Sequence, residues 1–247
     1  MQHIVIIGAT SSMAEHCARL WVQASPLHLT LVGRDESRTQ HVAQDLRVRS
    51  PLSNIEVMTT DFVNAARIRQ TVHDIVAQAA VDVVLIAHGV LPDQNICQDD
   101  VVACDAALQV NGVSPVLFAE AFANAMVRAN RGTIGIISSV AGDRGRKTNY
   151  VYGAAKGLVS RYAQGMQHRL AHTGVKVVLI KPGPTDTPMT GALKAKGQKM
   201  ACVEDVARDI VHGIAAGKSV VYTPGIWRII MWVVMHLPKF IFNKLSI

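Results

Sequence analysis

The chain has little cysteine, and what it has is scattered: Cys17, Cys97, Cys104 and Cys202 form no CxxC pair. That spacing argues against a disulfide framework or a zinc site, and buried free thiols in a reducing cytosol account for it. Aromatic residues make up only 5% of the chain. With no helix-turn-helix, zinc finger or aromatic RNA-binding strand, nucleic acid is not expected as a partner. Long apolar runs are missing as well. Ile229–Met235, the longest near the C-terminus, falls far short of the ~20 residues that a spanning helix needs. No basic n-region or cleavage site accompanies the first apolar stretch, so a signal peptide is not expected and the cytoplasm is the expected compartment. Internal repeats, low-complexity tracts and Pro/Ser-rich linkers are absent too. The chain therefore reads as one domain over 1–224, with an apolar extension over 225–247.

What remains is rich in core-forming residues: 49% are hydrophobic and 17% charged. The net charge of +7 and the pI near 9.4 suit an anionic partner, such as membrane headgroups or a phosphorylated ligand. Short runs rich in Val and Ile at His3–Ile7, Leu29–Val32, Ile55–Thr59, Val81–Ala87, Thr133–Ser138, Val175–Ile180 and Ser219–Tyr222 read as strands. Between them, helical periodicity covers Met13–Gln23, Glu36–Val48, Ala65–Ala79, Asp99–Ala129, Val151–His172 and Glu204–Ala216. The inner strands are apolar throughout, as strands covered on both faces should be. Regular alternation then predicts an α/β fold, a Rossmann-type doubly wound parallel sheet of about seven strands. Such sheets bind ligands beyond the carboxyl ends of their strands.

After the first predicted strand, Gly8-Ala9-Thr10-Ser11-Ser12-Met13 opens the first helix. A dinucleotide site needs a tight turn there and helix N-terminal amides facing the pyrophosphate, and an ordinary Ser/Thr helix cap reads the same way. The second strand ends in Val32-Gly33-Arg34. NAD sites place an acid here for the ribose 2′-hydroxyl, whereas NADP sites use an arginine for the 2′-phosphate. With Gly33 in the acidic position, Arg34 available and Asp35 better placed to cap the next helix, NADP(H) is the expected cofactor. A solvated loop arginine is the alternative.

The sharpest signal is Tyr152-Gly-Ala-Ala-Lys156, which places phenol and ammonium on one helix face. An ammonium there favours phenolate, so that the tyrosine can exchange a proton near neutral pH. Such a spacing arises by chance in roughly one chain in six of this composition, so its surroundings decide. Ser139 ends the predicted strand before Tyr152, Asn111 sits in the long predicted helix, and Pro182-Gly-Pro-Thr-Asp-Thr187 follows another strand. Tyr150 has no lysine at the same spacing.

These ordered motifs resemble the short-chain dehydrogenase/reductase family from Met1 to about Tyr222. The resemblance implies a carbonyl reductase. In it, Tyr152 protonates the carbonyl oxygen, Ser139 orients it, Lys156 holds the nicotinamide ribose and tunes Tyr152, and Asn111 positions a relay water. It also implies cofactor contacts from Gly8, Thr10, Ser11, Ser12, Met13, Arg34, Asp61, Phe62, Ala87, His88, Gly89, Pro182, Gly183, Thr185 and Thr187, and a homodimer or homotetramer. Departures from the family pattern are Ile7, Ser12 and Ala14 in the first loop, and Ile86-Ala87-His88-Gly89 where Asn-Asn-Ala-Gly is usual.

His168 and His172 have no third ligand nearby in sequence, so no metal is expected. Asp143-Arg144-Gly-Arg146-Lys147 and the segment carrying Lys194, Lys196 and Lys199 read either as holding a substrate phosphate or as solvated loop charge. The second segment, with Gly191 and Gly197, has the look of a mobile lid. In the tail, Trp227, Trp232, Phe240 and Phe242 mix with Arg228, His236, Lys239 and Lys244, and Pro238 divides the stretch in two. That composition suits a helix lying in a membrane interface at the inner face of the membrane, or a subunit interface. Tail and basic loops together are loosely similar to the decaprenylphosphoryl-2-keto-arabinose reductase-like subgroup, which reduces a keto-sugar on a polyprenyl phosphate. The expected substrate is thus a small-molecule or lipid-linked ketone. The alternatives are a 3-oxoacyl thioester, or a non-enzymatic role as a cofactor-sensing or membrane-peripheral protein.

Overall fold

A computed structural model describes residues 1–245; Ser246 and Ile247, at the end of the expected extension, lie outside the described residues. The strands are β1 (His3–Ile7), β2 (His28–Gly33), β3 (Asn54–Thr59), β4 (Val83–Ile86), β5 (Gly132–Ile137), β6 (Val175–Pro182) and β7 (Val220–Thr223). They form one seven-stranded sheet in the order β3-β2-β1-β4-β5-β6-β7, with every pair parallel. The doubly wound α/β fold expected from the sequence is the fold found. The strand order reverses between β1 and β4, and the crevice beyond their carboxyl ends is where such a sheet takes a ligand.

Helices α1 (Ser12–Ala24), α2 (Glu36–Arg49), α3 (Ala65–Gln78), α4 (Gln94–Asp99), α5 (Val101–Leu108), α6 (Ser114–Ala129), α7 (Tyr150–Arg169), α8 (Gly191–Ala195) and α9 (Val203–Ala215) follow in order. Alternate residues of each strand feed two separate cores. Ile4, Ile6, Leu29, Leu31, Val178 and Ile180 meet α1 and α9, while Val5, Ile7, Val84, Ile86, Ile134 and Leu179 meet α3, α6 and α7. Burial on both faces is why these strands show no polar alternation.

The structure divides the single helix expected over Asp99–Ala129. Asp100 caps α5, accepting the Val102 amide, and a π turn over Gln109–Val113 separates α5 from α6. By length and composition alone Val101–Ala129 could cross a membrane, but its Phe118 and Phe122 are wholly buried in the second core, as in the core helix of a globular domain. After β7 come α10 (Trp227–His236) and α11 (Lys239–Phe242), separated at Pro238. Trp227, Met231 and Val234 face the domain, one helical turn apart.

Candidate active site

The loop after β1 turns at Gly8, whose φ of +84° is open to glycine and strained for other residues. A β-carbon there would also meet the His88 backbone nitrogen at 2.7 Å, so the turn needs glycine twice over. Ser11 stands at the N-cap of α1 in extended geometry, yet its hydroxyl caps nothing. The first-turn amides of α1 are therefore open to an anion, beside the half-buried Thr10, Ser12 and Met13. Ala14, in a position where the family often has glycine, is fully buried in the first core, where its methyl fits.

At the end of β2, a β-carbon on Gly33 would lie 2.0 Å from the Thr39 hydroxyl oxygen, leaving no room for an acid. Asp35 is engaged elsewhere: its carboxylate accepts the Arg38 amide at 3.0 Å and caps α2. Arg34 is exposed and borders a groove of about 560 Å³ with Thr60, Asp61, Arg67 and Gln70. Asp61 turns its carboxylate onto the Val63 amide at 2.9 Å. The Phe62 ring is buried against His88 and Phe118. Arg67 carried no signal in the sequence; α3 brings it to the groove.

His88, after β4, stands where the family usually has alanine. Its Nε2 meets the Ser114 hydroxyl at 2.9 Å and its ring stands edge-on to Phe62, with centroids 4.8 Å apart. Burial, with the Lys156 and Arg34 charges adding to it, pushes the imidazole down to about 3, so it is neutral. The next residue, Gly89, lies against Asn111. A β-carbon there would come within 2.9 Å of Asn111 Oδ1, which accepts the Val90 amide at 2.8 Å. Asn111 Nδ2 donates to the Ala107 carbonyl at 2.9 Å. The π turn sets this wholly buried carboxamide against the β4 loop, and such turns recur at functional sites.

Small residues between Tyr152 and Lys156 let two segments approach α7. A β-carbon on Gly153 would stand 2.9 Å from the Ala141 carbonyl oxygen, and one on Gly142 would stand 2.6 Å from the Lys156 carbonyl carbon. On the other side, Gly112 of the π turn lies against Ala155. Ser138 donates to the Lys156 carbonyl at 2.8 Å and pairs with Ser160 at 2.9 Å, pinning the end of β5 to α7. Its neighbour Ser139 is left half-exposed, accepting the Ala141 amide at 3.1 Å. Gln94 of α4 accepts the Val151 amide at 3.0 Å and so caps α7, whose own N-cap Asn149 makes no side-chain bond. Sequence reasoning passed over both Ser138 and Gln94, because their partners are distant in the chain.

Lys156 is 2% exposed, and its Nζ donates to the Ile137 carbonyl at 3.1 Å and lies 5.9 Å from the Tyr152 ring centre. Burial lowers the ammonium to about 8. Burial also raises the Tyr152 phenol to about 12, with the Ser139 hydroxyl acting in the opposite direction. At neutral pH the site thus holds a protonated phenol beside a charged ammonium, and burial rather than the ammonium dominates the phenol. The arrangement is suited to giving a proton to an oxygen anchored at Ser139.

Pro182, the last residue of β6, and Thr185 beyond it are buried, and the Thr185 hydroxyl donates to the Gly183 carbonyl at 3.0 Å. Thr187 caps the short turn Pro188–Thr190. Of the basic side chains expected near the cleft, Lys194 pairs with Asp186 at 2.5 Å. Arg144 is taken by the tail, donating to the carbonyls of Val234 and, at 2.8 Å, of Leu237. Among the described residues Arg146, Lys147, Lys196 and Lys199 make no ion pair.

The family model for short chain dehydrogenases matches residues 2–198. An uncharacterised oxidoreductase of Staphylococcus aureus is 28% identical over 219 residues, 87% of this chain and 92% of that one. One of Mycobacterium tuberculosis is 28% identical over 243 residues, 98% and 96% of the two chains. Among solved structures, a short-chain dehydrogenase from Sphingobium yanoikuyae in complex with NADPH matches with a TM-score of 0.82 at 21% identity, covering 97% of each chain. The chain belongs to the short-chain dehydrogenase family and is an oxidoreductase of the doubly wound type.

Proposed function

We propose that the protein is an NADPH-dependent reductase that converts a ketone to a secondary alcohol, with Tyr152 as the proton donor. The observation that carries this reading is the half-buried Tyr152 phenol set beside Ser139 and near the buried Lys156 ammonium. Reduced nicotinamide, when bound, supplies the hydride that the carbonyl carbon receives. The carbonyl oxygen takes its proton from Tyr152 while the Ser139 hydroxyl holds it in place. Lys156 contributes positive charge under the phenol and a donor to the ribose. Asn111 fixes the Val90 backbone that borders the site.

The cofactor-facing residues fit a dinucleotide. Gly8, Thr10, Ser11, Ser12 and Met13 form an anion cradle at the N-terminus of α1. Asp61 and Phe62 would border the adenine end, Ala87, His88 and Gly89 the ribose, and Pro182, Gly183, Thr185 and Thr187 the carboxamide. Arg34 joined by Arg67, with Gly33 unable to carry an acid, favours the 2′-phosphate of NADP(H) over NAD. The NADPH complex of the Sphingobium relative agrees with that preference.

For the substrate we favour a ketone on a phosphorylated or lipid-linked sugar. Arg146, half-buried with an unpartnered Nε on the segment between Ser139 and Tyr152, favours an anionic substituent. The protein would work as a homodimer or homotetramer in the cytoplasm, at the inner face of the membrane where such a substrate is held. Cofactor titrations and a substrate panel test the reading. NADPH should bind at least about tenfold tighter than NADH, and Arg34→Ala should erase that difference. NADPH oxidation should appear with phosphorylated keto-sugars or lipid extracts. Equal binding of the two cofactors would overturn the cofactor assignment, and turnover confined to acyl thioesters would overturn the substrate class.

A further inference from the structure

A helix held to a domain by one apolar stripe ordinarily shows solvent a polar one. In α10 the inward stripe is Trp227, Met231 and Val234, but the outward one is apolar too: Ile229, Ile230, Trp232, Val233 and Met235 are all exposed. The surface continues through α11, where Phe240 is 70% exposed and Ile241 stands beside it. Around it lie Arg228, His236, Lys239 and Lys244, and no acidic residue occurs after Asp209. A Trp and a Phe ring in an apolar patch whose charged neighbours on these helices, Arg228, Lys239 and Lys244, are all cationic match the boundary between acyl chains and anionic headgroups. Two-fold pairing with a second copy would instead set this cationic rim against itself.

We propose that the outward face of α10–α11 docks on an anionic lipid bilayer. The inference deepens the membrane placement proposed above and uses none of the chemistry. Docking in this way fixes the cleft relative to the lipid. Arg144, on the segment between Ser139 and Tyr152, grips the end of α10 and lies 3.7 Å over the Phe242 ring, and Trp227 covers Gly183. The bilayer would thus meet a surface that also braces two walls of the active site.

Full-length protein is sedimented with vesicles of phosphatidylcholine alone and of phosphatidylcholine doped with phosphatidylglycerol. Binding should favour the doped vesicles and weaken several-fold at high salt. The double substitution Trp232→Glu with Phe240→Glu, at exposed positions, should lower binding at least about tenfold and leave circular dichroism and NADPH binding unchanged. Lys239→Glu with Lys244→Glu should lower the affinity for doped vesicles at least roughly fivefold, with little effect on the neutral ones. Wild-type protein left in the supernatant with both vesicles overturns the proposal. So does an oligomer that the Trp232/Phe240 variant breaks on size exclusion, which assigns the face to a second copy. Neither readout depends on turnover, so failure here leaves the catalytic reading standing, and the reverse also holds.

Discussion

Trp227 lies so close over Gly183 that a β-carbon there would sit 1.9 Å from the indole Nε1. The first residue of the tail helix is thereby packed on the loop proposed to receive the nicotinamide carboxamide. Gly183→Ala should push the indole away and destabilise the protein by ~1–3 kcal/mol in urea unfolding, as overpacking does. Adding Trp227→Ala should recover part of that loss, because the two residues share one space. Additive losses would show that the contact is not the cause.

Arg144 is the second tie between tail and cleft. Its guanidinium satisfies carbonyls at the open C-terminal end of α10 and covers Phe242. Arg144→Ala should cost about 1–2 kcal/mol of stability and raise amide exchange in α10 and in residues 143–149 together. Faster exchange in only one of these segments would argue that they are not coupled.

His88 makes the fold acid-sensitive. Its folded value of about 3 lies below the ordinary 6.5, so the unfolded chain binds the extra proton between those limits. Its contribution to stability is complete above pH 6.5 and is lost as pH falls toward 3, at about 1 kcal/mol per pH unit. Urea midpoints across that range should fall less steeply in His88→Asn than in wild type. Parallel curves would place the acid sensitivity elsewhere.

The proposed proton chemistry carries its own pH signature. Tyr152, raised to about 12, stays protonated through the neutral range, and Lys156, lowered to about 8, loses its charge first as pH rises. Ketone reduction should be flat on the acid side of pH 8 and decline above it. A rate that climbs through pH 8 would mean that the neutral amine is the working form.

The sheet could be read in the sequence because its inner strands are buried on both faces and therefore uniformly apolar. Tyr152, Lys156, Ser139 and Asn111 stood out because the pattern already placed Ser139 after a strand and the other three inside helices. Asn111 is expected inside an unbroken helix, and nothing in its local composition announces the π turn, whose Gly112 meets Ala155 across the fold. Gln94, Ser138 and Arg67 were missed for the same reason: their work is done at partners far away in the chain. Of the cationic loop residues, charge alone could not separate Arg144 and Lys194, which are engaged, from Arg146 and Lys147. That distinction exists only once the tail and Asp186 are in place.

The most direct test of the central claim is single-turnover oxidation of NADPH by wild type and Tyr152→Phe on a ketone that the wild type reduces. The account predicts that the variant keeps NADPH affinity within a few-fold while its rate falls by at least about a hundredfold. Turnover close to wild type in Tyr152→Phe would contradict it.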